Sequence, residues 1–139
     1  MFARKPIATI SARRGTAAIE LAVLAPFLVF LFVIAVDWAR VFYFSVTIDD
    51  CARNGAYYLA DPTVMGNSPH ASSTQAALAG TNLSPAPTVV SASGTGANGE
   101  WVEVTVSYVF KTVTQFPGVP SSTTLQKTVR MAKASRLPN

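Results

Sequence analysis

The chain has 139 residues, half of them hydrophobic and 13% charged, which is a low charged fraction for a soluble domain. Four basic residues precede Gly15 and no acid does, while the other seven basic residues equal the seven acidic ones. The length therefore predicts one small domain plus a membrane segment, and the local origin of the +4 net charge argues against a nucleic-acid-binding protein.

Residues 13–36 read RRGTAAIELAVLAPFLVFLFVIAV and predict a membrane-spanning helix. The charge-free run 21–36 would extend about 24 Å as a helix, short of the roughly 30 Å hydrocarbon core. Including residues 16–20 brings it to about 31 Å, so Glu20 must lie near one interface. There a carboxylate avoids most of the ~3 kcal/mol cost of the bilayer centre. The preceding basic cluster predicts a cytoplasmic N-terminus and an extracytoplasmic C-terminal domain.

Two features of this segment indicate helix packing. Pro26 removes one backbone hydrogen bond within the apolar run, which membrane helices tolerate, and predicts a kink or a locally melted turn. Asp37 and Arg40 are three residues apart and can pair on one helix face. That pair is either solvated at the membrane edge or a contact between subunits. An aromatic belt at the interface is expected from four neighbours: Trp38, Phe42, Tyr43 and Phe44.

The helix is expected to continue as an amphipathic segment from Val41 to Ala60 and to end before Pro62. The apolar stripe contains Cys51, the one cysteine of the chain, which excludes an intrachain disulfide and predicts a small buried hydrophobe. Arg53 belongs to the polar face, and Gly55 allows another element to approach closely.

The remainder predicts a small β-rich domain. A short helix is expected over Ser72–Ala79, with Ser72 or Ser73 as its cap and Gly80 as its stop. Loops are expected around 66–69, 94–99 and 115–122. Three strands are expected at Thr88–Ala92, Trp101–Thr112 and Thr123–Ala134. They would form an antiparallel sheet whose apolar face packs on the C-terminal part of the long helix, because an isolated hairpin is unstable.

The residues predict no enzyme, no metal site and no cofactor. His70, the single histidine, lies in a loop rich in proline and serine, and no acid–histidine set accompanies the serines. No phosphate-binding loop and no metal-ligand spacing occurs in the sequence. The glycosylation sequon at Asn82 is interpreted as chance.

The segment GTAAIE, residues 15–20, resembles the site cut by prepilin peptidases, with glycine before the cut and glutamate five residues after it. The following stretch VLAPFLVFLFVIAVDWARVFY resembles the TadE-like family, the minor pilins of the Flp/Tad (tight adherence) system. The matching positions are Pro26, Asp37, Arg40, Phe42 and Tyr43, and CARNGAY at residues 51–57 resembles the family's segment with arginine and glycine. The related TadF and TadG groups are not separated from TadE by these residues.

The resemblance implies a pilin-like α+β fold with three parts: a leader at 1–15, a long helix at 16–60 and an extracytoplasmic domain at 61–139. It implies cleavage between Gly15 and Thr16, with Arg13, Arg14 and Glu20 serving recognition or assembly. The implied partners are the prepilin peptidase, other pilins or pseudopilins, the Tad assembly machinery and membrane lipids, in a bacterial inner membrane or an extracellular filament.

Two alternatives stay open. An uncleaved single-pass protein would present the β-domain as a surface binding module. An ordinary secretory signal cut after Ala35 would release a soluble protein.

Overall fold

The computed structural model of the protein describes residues 11–113 and 121–134, with side chains from Gly15 onward. Three helices precede three strands, and the strands form one antiparallel sheet in the order β1-β2-β3. The predicted α+β fold, a long N-terminal helix followed by a small antiparallel sheet, is confirmed. The elements are α1 (Ser11–Ala60), α2 (Pro62–Asn67), α3 (Ser73–Leu78), β1 (Thr88–Gly96), β2 (Gly99–Lys111) and β3 (Ser122–Ala132).

The chain divides into two compact units, and the boundary lies between Val36 and Asp37. The first unit contains the apolar part of α1, and most of its large side chains are exposed. The helix continues through Pro26 without a break. In the described residues, one helix is long and apolar enough to cross a membrane, judged by length and composition.

The second unit has its core between the sheet and residues 37–60 of α1. Ile48, Ala52 and Ala56 on the helix meet a row of fully buried side chains from β2. That row comes from strict alternation along the strand, since every second residue points to the same face. The predicted inward face of β2 is confirmed at Val102, Val104, Val106, Tyr108 and Phe110.

Local signals set the helix ends. Helix α1 ends at Ala60, as predicted, and Asp61 then caps α2 by accepting a hydrogen bond from the Thr63 amide at 2.8 Å. Helix α2 was not expected, because Pro62 was interpreted as a terminator although proline is also favourable in the first turn of a helix. Helix α3 is confirmed with Ser72 as its cap, and Gly80 follows with a φ of 85°.

Strand β1 is longer than the sequence indicates. Gly96 pairs with Gly99, so the hairpin turn is limited to residues 97 and 98, and the loop predicted over 94–99 is wrong at its other four positions. The reason is cross-strand packing by Trp101. A Cβ atom at Gly94 would lie 2.6 Å from the Trp101 ring, so the absence of a side chain lets the indole cover the strand. The predicted loop 115–122 lies mostly outside the described residues.

Candidate processing and assembly segment

The predicted processing site lies in α1, and the described side chains there are exposed. A side chain at Gly15 would meet no other atom within 4 Å. Thr16 and Glu20 are four residues apart, so the helix places them one turn from each other on one face. The side chains of Arg13 and Arg14, and residues 1–10 of the predicted leader, lie outside the described part of the chain.

Glu20 is the one charged residue of the sequence between Arg14 and Asp37. Its side chain is exposed, and the run that follows it exposes leucine, valine and phenylalanine side chains as far as Val36. Exposed apolar surface of this extent is typical of contact with lipid or with other apolar helices.

Pro26 is exposed within this run and lies inside a continuous α-helix. A proline in a helix leaves the carbonyl four residues earlier without its usual donor. The locally melted turn that Pro26 was expected to mark does not occur, because the helical backbone continues on both sides of it.

Asp37 and Arg40 form the expected pair, with Nη1 of Arg40 3.3 Å from Oδ1 of Asp37. Asp37 is nevertheless 8% exposed, so the interpretation as a solvated pair is wrong. The same carboxylate oxygen accepts a hydrogen bond from the Val113 amide at 3.2 Å. The guanidinium of Arg40 lies 5.1 Å from the centre of the Phe110 ring. Asp37 thereby ties the start of the second unit to the residues that follow β2.

The predicted aromatic belt divides into two groups. The ring of Phe44 enters the core, with ring centres 5.1 Å from Tyr108 and 5.5 Å from Phe110. Trp38, Phe42 and Tyr43 remain exposed. Helical spacing explains the difference, because residue 44 shares a face with Val41 and Ile48, which also pack in the core.

Arg53 and Gly55 have separate surroundings. Nε of Arg53 donates to Oδ2 of Asp49 at 2.9 Å on the exposed face of α1, and this hydrogen bond raises the pKa of Arg53 further above its usual value. A Cβ atom at Gly55 would lie 3.0 Å from Cβ of Ala77 and 3.1 Å from Cγ1 of Val104. The sequence indicated that another element approaches Gly55 closely. Only the structure shows that the approaching elements are α3 and β2.

The single cysteine and the single histidine of the chain both make contacts within the folded unit. Cys51 is 3% exposed, and burial raises the pKa of its thiol, partly opposed by a hydrogen bond with Thr81. The backbone carbonyl of His70 accepts a hydrogen bond from the Tyr58 hydroxyl at 3.0 Å. Within residues 11–113 and 121–134, no group of three His, Cys, Asp or Glu side chains could hold a metal ion.

Comparison with known proteins gives one match. Residues 15–56 match the family model of TadE-like proteins, from the predicted processing glycine to the α1 turn that contains Gly55. No curated protein and no solved structure matches the chain. The sequence therefore carries a TadE-like segment at residues 15–56, which confirms the expected resemblance and indicates a protein associated with a Tad-type pilus.

Proposed function

We propose that this protein is a minor pilin or pseudopilin of a Flp/Tad-type pilus, built into the filament or priming it through its N-terminal helix. The observation that carries the proposal is the TadE-like match, which begins at Gly15, at the start of a helical run whose large apolar side chains are mostly exposed as far as Val36. Before assembly the apolar run would lie in the inner membrane with its N-terminus in the cytoplasm. Prepilin peptidase would cut between Gly15 and Thr16.

Cleavage changes the electrostatic surroundings of Glu20. It removes the basic residues before Gly15 and creates an ammonium group on Thr16, one helical turn away. An acid near a helix N-terminus is also favoured by the helix dipole. In an apolar filament a carboxylate is tolerated when it is paired, so Glu20 would favour pairing with the new amine of a neighbouring subunit.

The rest of α1 and the sheet would serve the assembled state differently. Apolar side chains of residues 21–36 would exchange lipid contacts for contacts with neighbouring pilins, with little change in the polarity around them. In the filament, the folded unit that begins at Asp37 would lie in water and present the sheet to other pilins or to a surface. We infer that the folded unit contributes to adherence from that position.

The first test is the N-terminus of the exported protein, read by intact mass or N-terminal sequencing. The mature chain should begin at Thr16, and Gly15→Leu should retain residues 1–15, because the peptidase site that residues 15–20 resemble has glycine before the cut. Gly66→Leu is the matched control, since a side chain at either glycine meets no atom within 4 Å. A start at Val36 would assign an ordinary secretory signal, and retention of residues 1–15 in the unaltered protein would assign an uncleaved anchor.

The second test concerns assembly through Glu20. Glu20→Gln keeps the shape of the side chain and removes its charge, and Glu20→Leu removes its polarity as well. Both variants should still be cleaved, yet their amount in sheared filaments should fall roughly tenfold, equivalent to about 1.4 kcal/mol. Immunoblots of the filament and membrane fractions measure this ratio. Unchanged incorporation of both variants would remove the pairing role.

A further inference from the structure

Four exposed apolar side chains lie near the start of the second unit. Trp38, Phe42, Tyr43 and Val113 are between 62% and 67% exposed, and we call them the apolar rim. The first three come from α1, and Val113 follows β2. Val113 joins them because its amide donates to the Asp37 carboxylate at 3.2 Å, beside Trp38. Two parts of the folded unit that are distant in sequence therefore present apolar surface close together.

The charges around the rim are unevenly distributed. Asp37 is buried, and the next carboxylates along α1 are Asp49 and Asp50, more than one turn beyond Tyr43. The nearby basic side chains are Arg40, which is partly exposed, and Lys111, which is exposed at the end of β2. In the described part of the chain, the rim thus combines aromatic rings with basic groups and lacks an exposed acid. Tryptophan and tyrosine beside basic residues are typical of a lipid headgroup region.

The dimensions suit a membrane interface. Trp38 and Phe42 are separated by about 6 Å along the helix axis at 1.5 Å per residue. A bilayer has about 5–7 Å of headgroup region on each side of its hydrocarbon core. Both side chains therefore fit within one interface, whereas Tyr57, on the same helix, lies about 22 Å farther along than Phe42.

We propose that the apolar rim seats the folded unit on the lipid headgroups of the membrane that α1 crosses, before assembly into a filament. This inference depends on the proposed function, which places residues 21–36 in the bilayer. The occupant is lipid rather than a second copy, because the rim adjoins the charge-free run that ends at Val36 and is flanked by Arg40 and Lys111, which suit phosphate groups.

The position that tests the proposal is Val113. A membrane span alone would bring Trp38 to the interface, whereas only docking of the folded unit brings residue 113 there. The chain has two tryptophans, Trp38 and Trp101, and both can be replaced by phenylalanine to give a silent background. Into this background a single tryptophan is introduced by Phe42→Trp, Val113→Trp or, as a control, Tyr57→Trp.

The full-length variants are reconstituted in vesicles that contain lipids brominated near the headgroup end of the acyl chain, and indole quenching is measured. The Phe42→Trp and Val113→Trp variants should lose much of their emission, and the Tyr57→Trp variant should keep it, because Tyr57 lies beyond the headgroup region. Slow labelling of the buried Cys51 identifies variants that keep the native fold. A second substitution at the end of β2, Lys111→Trp, gives an independent reading of docking if the Val113 variant does not fold.

The other outcomes overturn the proposal in distinguishable ways. Quenching in the Phe42→Trp variant with none in the Val113→Trp variant would leave the membrane span in place and reject docking of the folded unit. Absence of quenching in both would reject docking together with the proposed membrane position of α1. The indole at position 113 could instead be unquenched and have blue-shifted emission that depends on the number of protein molecules per vesicle. That result would assign the rim to contact with a second copy of the chain.

Discussion

Gly55 lies where α1, α3 and β2 meet, and the absence of a side chain sets how closely they approach. Its neighbours are the Ala77 methyl group and Cγ1 of Val104, both of which are fully buried. A protein interior packed at this density has little room for an added group. The small residue is therefore a condition for bringing α3 onto the helix and sheet.

Gly55→Leu should lower the free energy of unfolding of the second unit by about 2 kcal/mol, because overpacking outweighs the better helix propensity of leucine. Gly66→Leu is the control, since Gly66 is also helical and a side chain there meets no atom within 4 Å. Urea unfolding of both full-length variants in mild detergent measures the difference. Equal free energies of unfolding for the two variants would contradict this prediction, because they would mean that the elements around Gly55 move apart without loss of stability.

Asp37 shows the limit of reasoning from neighbours in the sequence. Its spacing to Arg40 predicts the ion pair, which the structure contains at 3.3 Å. The hydrogen bond from Val113 joins residues 76 positions apart, and no local pattern encodes it. Burial of the carboxylate follows from that contact, because a buried charge is stable when its hydrogen bonds and its counter-charge are both present.

At the scale of the elements, strong local chemistry made the helix ends predictable. Ser72 caps α3 and Gly80 follows its end with a positive φ, both as the sequence indicates. Helix α2 escaped prediction because Asp61 and Pro62 end one helix and begin another, and the same two residues favour both events. Hydrogen bonds from Thr63 lower the pKa of Asp61. The cap therefore persists to lower pH than a carboxylate of ordinary pKa would allow, and it weakens once Asp61 is protonated.

The strands show a similar division. Alternation of apolar and polar residues predicted β2 and its inward face, because burial on one side of a pleated strand has a period of two. The turn between β1 and β2 was predicted too long, because the glycines at positions 94 and 96 are typical of loops. Packing of Trp101 over Gly94, with the Arg130 guanidinium 3.6 Å from the centre of the indole, makes those glycines part of a strand.

At the scale of the whole molecule, Cys51 reports on the core of the second unit. It lies among Ile48, Ala52 and the inward row of β2, and burial raises the pKa of its thiol above the usual value. A raised pKa lowers the fraction of reactive thiolate at any given pH. Both effects should make the native thiol unreactive.

Maleimide labelling of the full-length protein at pH 8 should therefore be slow without denaturant and should become fast over the urea range in which the sheet unfolds. The rate is read by intact mass, with the unfolded protein as the reference for an accessible thiol. Prompt labelling in the absence of urea would contradict the burial of Cys51. A labelling midpoint well below that of the sheet would separate helix opening from global unfolding.

The sequence by itself determined the long apolar helix, the single acid at position 20, the TadE-like segment and the order of the helices and strands other than α2. These depend on local periodicity, on helix-capping residues and on the composition of a continuous run, all of which act over a few residues. Only the tertiary structure decided that Asp37 is buried, that Phe44 leaves the aromatic cluster for the core and that Gly55 meets α3 and β2. Those outcomes depend on contacts between residues far apart in the chain, which form when the sheet and the helix bury their apolar faces together.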